Sequence, residues 1–260
     1  MTNYNELFEQ AEGFYEEGNY QAALELFERV LTISYTDDCM NYIACCYLNL
    51  GDLIKARNIL QDLIRTNRTW ERPFITLGRV NLKLGNTEEA LKSLESAVKI
   101  QPDSEDAYFY LGLFYFQQGN YEESINCYEK SLSIDSEQSE THLNLGLCYL
   151  RLHAFDKALL EFNQAYLFDP KCINAIYNQG ITYYAMGHYR KALEKYLDAY
   201  KYMTNDTEVM YDIAHCYYRL NDLEQSIEWG QKVLNINPEH SYANKLVSNI
   251  KVLIKEKKGG

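Results

Sequence analysis

The chain has 260 residues, of which 24% are charged, and it carries a formal net charge of −12 with an isoelectric point near 4.9. Duplex nucleic acid is a dense polyanion that most of such a surface would repel, so we expect no nucleic-acid partner. No apolar run approaches the roughly 20 residues that span a bilayer, and the first residues lack the basic and apolar stretches of a secretory leader. The sequence therefore predicts neither membrane insertion nor secretion.

A short turn motif recurs along the chain at a step of 34 residues, with one step of 33. Five clear copies begin with glycine, namely Gly18-Asn19-Tyr20, Gly51-Asp52-Leu53, Gly85-Asn86-Thr87, Gly119-Asn120-Tyr121 and Gly187-His188-Tyr189. Two weaker copies are His153-Ala154-Phe155 and Asn221-Asp222-Leu223. A fixed period of this kind predicts one supersecondary unit copied into a single elongated solenoid, in which each unit touches only its neighbours.

Each unit has the residue spacing of two amphipathic helices. The first helix carries a small residue seven positions before the turn, at Ala11, Ala44, Gly78, Gly112, Gly146, Gly180 and Ala214. The second carries a small residue five positions after the start of the turn, at Ala23, Ala56, Ala90, Ser124, Ala158, Ala192 and Ser226. Large side chains follow both at helical spacing, and a proline that cannot continue a helix closes three units, at Pro102, Pro170 and Pro238.

This pattern resembles that of the tetratricopeptide repeat family, in which the first helix carries Leu-Gly and Tyr and the second carries Ala, an aromatic residue, Ala and Pro. One of the fullest matches is Leu145, Gly146, Tyr149, Ala158, Phe162, Ala165 and Pro170. The resemblance implies an all-α fold, a right-handed superhelical solenoid of antiparallel helix pairs. We expect seven units over residues 4–240, at 4–36, 37–70, 71–104, 105–138, 139–172, 173–206 and 207–240, then a capping helix over 241–257 and a disordered tail over 258–260.

Two units depart from the pattern, and a further helix follows the last one. Gly230 lies beside Trp229 where the other units place a large apolar residue, and a glycine within a helix costs about 1 kcal/mol relative to alanine, so weaker packing is expected there. The second unit lacks a closing proline and has Arg65, Asn67, Arg68 and Trp70 at its end, which predicts a longer helix or a bent junction. A one-sided apolar stripe then predicts the capping helix, at Ala243, Leu246, Val247, Ile250, Leu253 and Ile254.

The residues typical of catalytic and metal sites are scattered. Seven cysteines without a C-x-x-C pair predict neither a disulfide framework nor a zinc site, and they favour a reducing, cytoplasmic location. Cys46, Cys148 and Cys216 share one register of the first helix, where the resemblance implies a small buried position. The five histidines fall at five different places in the repeat, and no phosphate loop or nucleophile elbow is present. We expect no enzymatic activity, no metal and no cofactor.

The resemblance places the binding surface on the concave wall, which in this family is lined by the first helix of each repeat. Large apolar groups exposed on one face would mark a binding site. The residues expected to contact a peptide are Phe109, Tyr110, Leu113, Phe116, Asn144, Leu147, Tyr177, Asn178, Ile181, Tyr184, Tyr211, His215 and Tyr218. The alternative is that neighbouring helices or the capping helix cover them.

Two further features would give this groove its chemistry. Asn144 and Asn178 take the same place in consecutive repeats, and they form either a ladder that grips the N–H and C=O groups of an extended backbone or a merely polar stretch. Basic contacts to a carboxylate are expected from Arg72, Arg79, Lys83, Arg151 and Arg219, the alternative being solvated bases paired with nearby glutamates. The carboxylate-clamp pattern of family members that bind chaperone tails is not reproduced, which disfavours that ligand.

The sequence therefore predicts a protein–protein interaction module that binds an extended peptide or protein segment in the concave groove, with the fourth to seventh units as the main site. It would act as an adaptor or scaffold, and its partner would be apolar with one or more carboxylates. One alternative is a self-assembling scaffold whose groove receives residues 243–257 of a second copy, which would make the chain a homo-oligomer. Another is a targeting or chaperone-like subunit of a larger complex.

Overall fold

The computed structural model describes residues 4–259, and the side chains of residues 4–255. This part of the chain forms fifteen α-helices and no strand, which confirms the predicted all-α class. The first eight helices are α1 (Tyr4–Glu16), α2 (Tyr20–Ile33), α3 (Asp37–Leu50), α4 (Leu53–Thr66), α5 (Arg72–Lys83), α6 (Thr87–Ile100), α7 (Glu105–Gln117) and α8 (Tyr121–Ile134). The others are α9 (Ser139–Arg151), α10 (Phe155–Phe168), α11 (Ile173–Ala185), α12 (Tyr189–Tyr200), α13 (Thr207–Arg219), α14 (Leu223–Ile236) and α15 (Ser241–Gly259).

The helices form two compact units, Met1–Ser136 and Glu137–Gly260, and each is described by itself below. The first unit contains α1 to α8 and the second contains α9 to α15. The sequence predicts one elongated domain, whereas this division falls in the loop between α8 and α9. Because each repeat of a solenoid packs only on its neighbours, a junction between repeats is where such a chain divides.

Consecutive helices up to α14 pack in pairs, and we call the odd-numbered member of each pair the A helix and the even-numbered member the B helix. Within each unit an A helix packs on its own B helix, and the B helix packs on the next A helix. The turn inside each pair requires a left-handed residue. Five turns use glycine with φ between 77° and 86°, whereas the two weaker sequence copies place His153 at φ 58° and Asn221 at φ 63°. All seven turn motifs thus adopt the same backbone conformation, which costs glycine the least.

The A and B helices of four pairs approach so closely that only glycine fits between them. A Cβ atom added to the glycine would lie 2.6–2.7 Å from a buried side chain of the B helix, in the pairs Gly78 with Leu94, Gly112 with Tyr128, Gly146 with Phe162 and Gly180 with Tyr196. Where serine replaces the small alanine of the B helix, its hydroxyl donates to a carbonyl of the A helix, as Ser226 Oγ does to Ala214 O at 2.8 Å. The small residues identified in the sequence therefore set the distance between paired helices.

The structure bears on two expectations about the weaker repeats. Helix α4 ends at Thr66 and α5 begins at Arg72, so a short loop joins the second and third pairs, which excludes the longer helix and leaves the bent junction. The predicted loose packing around Gly230 is wrong, because this glycine is buried and an added Cβ would lie 2.5 Å from Val247 Cγ2 of α15. Trp229 beside it is 8% exposed and packs edge-on against Tyr200. Glycine here allows the last helix to dock closely.

Helix α15 covers the end of the second unit. Its buried residues Ala243, Leu246, Val247 and Ile250 pack on the core formed with α13 and α14. The helix continues to Gly259, so residues 258 and 259 of the predicted tail are helical, and Gly260 lies outside the described residues. Four of the six residues of the apolar stripe found in the sequence are thus buried against this chain's own repeats, whereas Leu253 is 37% exposed.

Candidate functional site

In the second unit, aromatic side chains of α11 and α13 gather around one histidine. The ring of His215 stacks on Tyr184, Tyr211 and Tyr218, with centroid distances of 5.4, 5.7 and 6.1 Å. All four side chains are half-buried. We call these four residues the histidine cluster, and all four are among the residues that the sequence analysis assigned to the groove. They form an accessible surface of flat rings on the A helices, suited to contact with an apolar segment.

Arg219 lies at one edge of the histidine cluster and donates hydrogen bonds to one hydroxyl of the cluster and to one neighbouring tyrosine. The guanidinium donates to the hydroxyl oxygen of Tyr184 at 3.3 Å and to that of Tyr189, and its carbon lies 4.2 Å from the centroid of the Tyr189 ring. The Tyr184 hydroxyl lies 3.1 Å from His215 Nδ1. Burial, together with the charge of Arg219, lowers the pKa of His215, so the imidazole is neutral at physiological pH. Because Nδ1 is engaged by Tyr184, Nε2 of the neutral ring is the atom that can donate to or accept from a ligand, according to its tautomer.

Asp212, on the same helix, is a half-buried carboxylate without a cationic partner among the described side chains. The Tyr177 hydroxyl donates to Asp212 Oδ2 at 2.8 Å. Burial raises the pKa of Asp212 to about 6, and the nearby carboxylates Glu208 and Asp206 act in the same direction, whereas the hydrogen bond from Tyr177 opposes them. Among the described side chains no lysine, arginine or histidine forms an ion pair with Asp212. Asp212 is not among the contacts expected from the sequence, because the residue pattern does not show how far a carboxylate is buried.

The two asparagines of the predicted ladder already use their amide donors. Asn144 Nδ2 donates to Glu140 O at 2.9 Å, and Asn178 Nδ2 donates to Asn174 O at 2.8 Å, each four residues earlier in its own helix. Both side chains are half-buried. The amide N–H groups expected to grip a peptide are therefore engaged, and the Oδ1 atoms are left to accept backbone N–H groups. Leu147 and Ile181 on the same helices are half-buried.

The fourth-repeat residues expected in the groove lie in the first unit, and they behave differently from one another. Phe109 is 7% exposed and packs on Tyr128 of α8, so it belongs to the core and not to an accessible surface. This corrects the sequence expectation. Tyr110, Leu113 and Phe116 are half-buried. The ring of Tyr110 lies under the guanidinium of Arg79, 4.5 Å from the ring centroid to the guanidinium carbon.

A second polar site lies in the first unit, where α3, α5 and α7 line a cavity of 230 Å³. We call it the arginine pocket, and its walls are Asn41, Tyr42, Cys45, Arg72, Ile75, Thr76, Arg79, Asp106 and Tyr110. It brings together three of the residues predicted from the sequence: Arg72, Arg79 and Tyr110. Lys83 is not part of it and lies 3.5 Å from Leu48 O. Arg151 belongs to the second unit, where it is exposed at the end of α9.

The cysteines behave as core residues. Cys46, Cys148 and Cys216 are fully buried, as their shared register predicts. Burial raises the pKa of Cys46 and of Cys216 to about 12, so their thiols stay protonated and unreactive. Across residues 4–255, no group of three or more His, Cys, Asp or Glu side chains is arranged to hold a metal ion. Within the described chain, every helix is too short or too polar to cross a membrane.

Comparisons with known families agree with the repeat seen in the structure. A tetratricopeptide repeat profile matches residues 78–119 and 112–152, and a second one matches residues 183–250. A profile described as anaphase-promoting complex, cyclosome, subunit 3, matches residues 16–97. No curated protein sequence matches at a significant level.

Solved structures show the same architecture at low sequence identity. The structure of the Cut9–Hcn1 hetero-tetramer of the anaphase-promoting complex superposes with a TM-score of 0.74 at 18% identity over 92% of this chain, which spans only 48% of the matched chain. PilF of Pseudomonas aeruginosa matches with a TM-score of 0.72 at 15% identity, over 82% of this chain and 97% of its own. YrrB, described as having an unusual peptide-binding site, matches at 0.62 and 20% identity, over 72% of this chain and 96% of its own. At these identities the likeness concerns the fold alone. The chain belongs to the tetratricopeptide repeat family.

Proposed function

We propose that this protein holds an extended segment of a partner protein against the A helices of its second unit and acts as an adaptor or scaffold. Tetratricopeptide repeats are protein-interaction modules and are generally not catalytic. The observation that carries the proposal is the histidine cluster, in which four half-buried rings lie on α11 and α13 with Arg219 at their edge. Large rings lose little conformational entropy on binding, which makes such a surface suited to a peptide.

Three groups beside the rings define the chemistry of the segment. The free Oδ1 atoms of Asn144 and Asn178 would accept N–H groups of its backbone. Asp212 would accept a further N–H or face a cationic side chain, which would offset the cost of keeping an unpaired carboxylate buried. Arg219 is exposed and offers donors to a carboxylate. The segment is therefore apolar in the main, with polar groups at these three places.

The cysteines indicate the cellular compartment in which the protein would act. All seven cysteines carry free thiols, and six of them are buried. A reducing compartment such as the cytoplasm preserves them, so we place the protein there. Within the fold family, the role most consistent with these features is a passive clamp that joins one protein to another.

A second copy of the chain is the main competing occupant of this surface. Most of the C-terminal stripe that would have to be exchanged is buried on its own chain, because Ala243, Leu246 and Ile250 pack on the core of the second unit. Releasing α15 from this position would expose that core to water. A partner of different sequence is therefore favoured over an exchanged C-terminal helix.

Affinity purification from cells with a matched pair of variants tests the proposal. The site variant carries His215→Ala with Tyr218→Ala, and the control carries His188→Ala with Tyr202→Ala, which removes one histidine and one tyrosine that are exposed in the same unit. Both variants are first compared with the wild type by circular dichroism and gel filtration. We expect a protein that is retained by the wild type and the control and lost with the folded site variant. Equal retention by all three would reject the histidine cluster as the binding surface.

A further inference from the structure

Helix α10 carries two exposed leucines at places where every other repeat of the chain carries a polar residue. Leu160 and Leu167, the second and ninth residues after Ala158, are 56% and 68% exposed. The place of Leu160 holds glutamate, asparagine or lysine in the other repeats, and the place of Leu167 holds threonine, serine, asparagine, arginine or lysine. The fold therefore needs no apolar side chain at either place. Two leucines exposed on one face of a helix indicate a contact with another molecule.

A polar cleft adjoins these leucines in the second unit. Helices α10, α11 and α12 line a cavity of 270 Å³, and we call it the lysine cleft. Its walls include Asn163, Tyr166, Ile176, Gln179, Lys195 and Tyr202. Asn163 comes three residues after Leu160 and four before Leu167, and side chains at these spacings are neighbours on a helix surface. The leucines and the cleft therefore form one continuous face.

Lys195 brings an ammonium group into this cleft without an acidic partner. One repeat earlier the same place is held by Glu161, which pairs with His142 of the preceding A helix at 2.7 Å. In the repeat of Lys195 the place of that histidine is held by Ile176, which offers no hydrogen-bonding group. Lys195 is half-buried, and it forms no ion pair with any side chain among residues 4–255. Its charge is therefore available to a ligand.

The other polar groups of the cleft leave this charge uncompensated. Asp198 pairs with Lys201 at 2.6 Å, so two lysines and one aspartate give the lining a net charge of +1. Gln179, which is 3% exposed, donates through Nε2 to Asn163 Oδ1 at 3.0 Å. Because this bond uses the oxygen of the Asn163 amide, its Nδ2 donors are left for solvent or a ligand. An acidic group complements both the unpaired lysine and the amide donors.

We infer that the face formed by Leu160, Leu167 and the lysine cleft binds an amphipathic helix of a partner protein, and that one acidic side chain of this helix pairs with Lys195. The two leucines are two helical turns apart, about 10 Å along α10, and two turns of a partner helix present apolar side chains over the same length. A helix satisfies its own backbone hydrogen bonds, which suits a face that offers side chains rather than a backbone edge. The carboxylate of the partner supplies the charge that the cleft lacks.

This face is separate from the histidine cluster. Ile176 and Gln179 of α11 line the cleft, whereas Tyr184 of the same helix belongs to the histidine cluster. Tyr184 is eight residues from Ile176 and five from Gln179, which at about 100° per residue places it on a different face of α11. The inference therefore goes beyond the proposed function, because the chain would hold one partner on its A helices and a second partner on α10 and α12.

Capture of helical peptides by the immobilised full-length chain tests this assignment. The probes are three peptide libraries of about 18 residues, each peptide held helical by a side-chain lactam and carrying random apolar residues along one face. The central residue beside that face is glutamate in the first library, glutamine in the second and lysine in the third. Captured peptides are quantified by mass spectrometry. We expect the glutamate library to be captured about fivefold more than the glutamine library, and the lysine library least. Equal capture of all three libraries, or no capture of any, would overturn the inference.

Charge reversal in the cleft then ties the capture to Lys195. Lys195→Glu should invert the preference, so that the lysine library is captured most, and Glu161 shows that a B helix of this chain holds a glutamate at the same place. Lys195→Gln should remove the preference for glutamate over glutamine, and it decides the question if circular dichroism shows that Lys195→Glu is unfolded. Lys245→Gln is the matched control, since Lys245 is exposed on α15. Wild-type preference in a folded Lys195→Glu or Lys195→Gln protein would contradict the assignment.

A double variant tests the apolar part of the face. Leu160→Ser with Leu167→Ser should lower the capture of all three libraries, because the side chains that pack on the partner helix are removed. Unchanged capture by the folded double variant would overturn the inference. Sedimentation of the wild type over a range of concentrations tests a second copy of the chain as the occupant. Self-association that the double variant abolishes would assign the face to that copy and would also overturn the inference.

The test is separable from that of the proposed function. The His215→Ala, Tyr218→Ala variant leaves the lysine cleft intact, so it should prefer the glutamate library as the wild type does. If this variant loses the cellular partner but keeps the glutamate preference, both proposals stand. Loss of the preference in this variant would show that the captured helices sit on the histidine cluster, which would overturn the cleft assignment while leaving the proposed function in place. Tyr202 lines the cleft, so the control with Tyr202→Ala serves the histidine cluster alone and Lys245→Gln takes its place here.

Discussion

Replacing Asp212 by asparagine should stabilise the second unit at neutral pH. Burial raises the pKa of this carboxyl from its ordinary value of 3.8 to about 6, a difference of slightly over 2 pH units. At about 1.36 kcal/mol per pH unit, the ionised carboxylate costs roughly 3 kcal/mol of folding free energy. Asparagine keeps an oxygen that can accept the hydrogen bond of Tyr177 and removes the charge. We therefore expect a gain that approaches this value and is reduced by any relaxation around the carboxylate.

The pH dependence of that gain is the decisive part of the test. Because the folded-state pKa is raised, the native protein holds its proton more tightly than the unfolded chain, so the wild type loses stability as pH rises from about 4 to about 6. Urea unfolding followed by circular dichroism, repeated across this range, should give a difference between variant and wild type that is near zero below about pH 4 and constant above about pH 7. The control Glu239→Gln removes one exposed negative charge from the same unit. A difference that does not change with pH would show that the folded-state pKa of Asp212 is not raised.

Three further predictions concern the packing and the turns of the repeats; the first two are measured by thermal and urea unfolding, and the third by hydrogen exchange. Gly146→Ala should destabilise the protein by up to about 2 kcal/mol, because the clash with the Phe162 ring outweighs the gain in helix propensity. Gly13→Ala should instead stabilise it by up to about 1 kcal/mol, because a Cβ atom added at Gly13 meets no atom within 4 Å. Equal effects of the two changes would contradict the close approach of the helices. His153→Gly should stabilise by up to about 1 kcal/mol by relieving the left-handed backbone, and a loss would be contrary to this reasoning. Gly230→Ala should loosen α15 and speed hydrogen exchange in that helix, and unchanged exchange would count against the docking contact.

Much of the fold could be predicted from the sequence because each of the seven repeats needs a left-handed turn residue and small residues between its two helices at the same positions. The turn pattern anticipated every helix pair, including the two whose turns carry His153 and Asn221 in place of glycine. The packing around Gly230 was predicted wrongly because helix propensity counts a glycine within a helix only as a loss of stability. The structure shows instead that the space it leaves is filled by Val247 of the next helix.

The candidate site was predictable only where helical spacing decides which residues face the same way. Helical register brought Tyr184, His215 and Tyr218 to one surface as expected. It did not reveal that Phe109 is buried by Tyr128, since burial depends on how the two helices of the pair meet.

Hydrogen bonding and proximity between repeats limited the prediction in the same way. The side-chain amide of Asn178 donates a hydrogen bond to the carbonyl of Asn174 in its own helix. The spacing of residues in the sequence does not show whether this local bond or a bond to a ligand is preferred. The arginine pocket needs α3, α5 and α7 together, so no single repeat of the sequence indicates it.

Site-specific photo-crosslinking in cells tests whether the histidine cluster contacts a partner protein. The photoreactive amino acid p-benzoylphenylalanine is placed at position 218 in the histidine cluster, or at position 202, where Tyr202 is 66% exposed away from it. We expect the photoreactive residue at position 218 to crosslink to a partner protein of different sequence. The same residue at position 202 should give no crosslink to that partner. Crosslinking of the same partner from position 202 alone, or of a second copy of this chain from position 218, would contradict it.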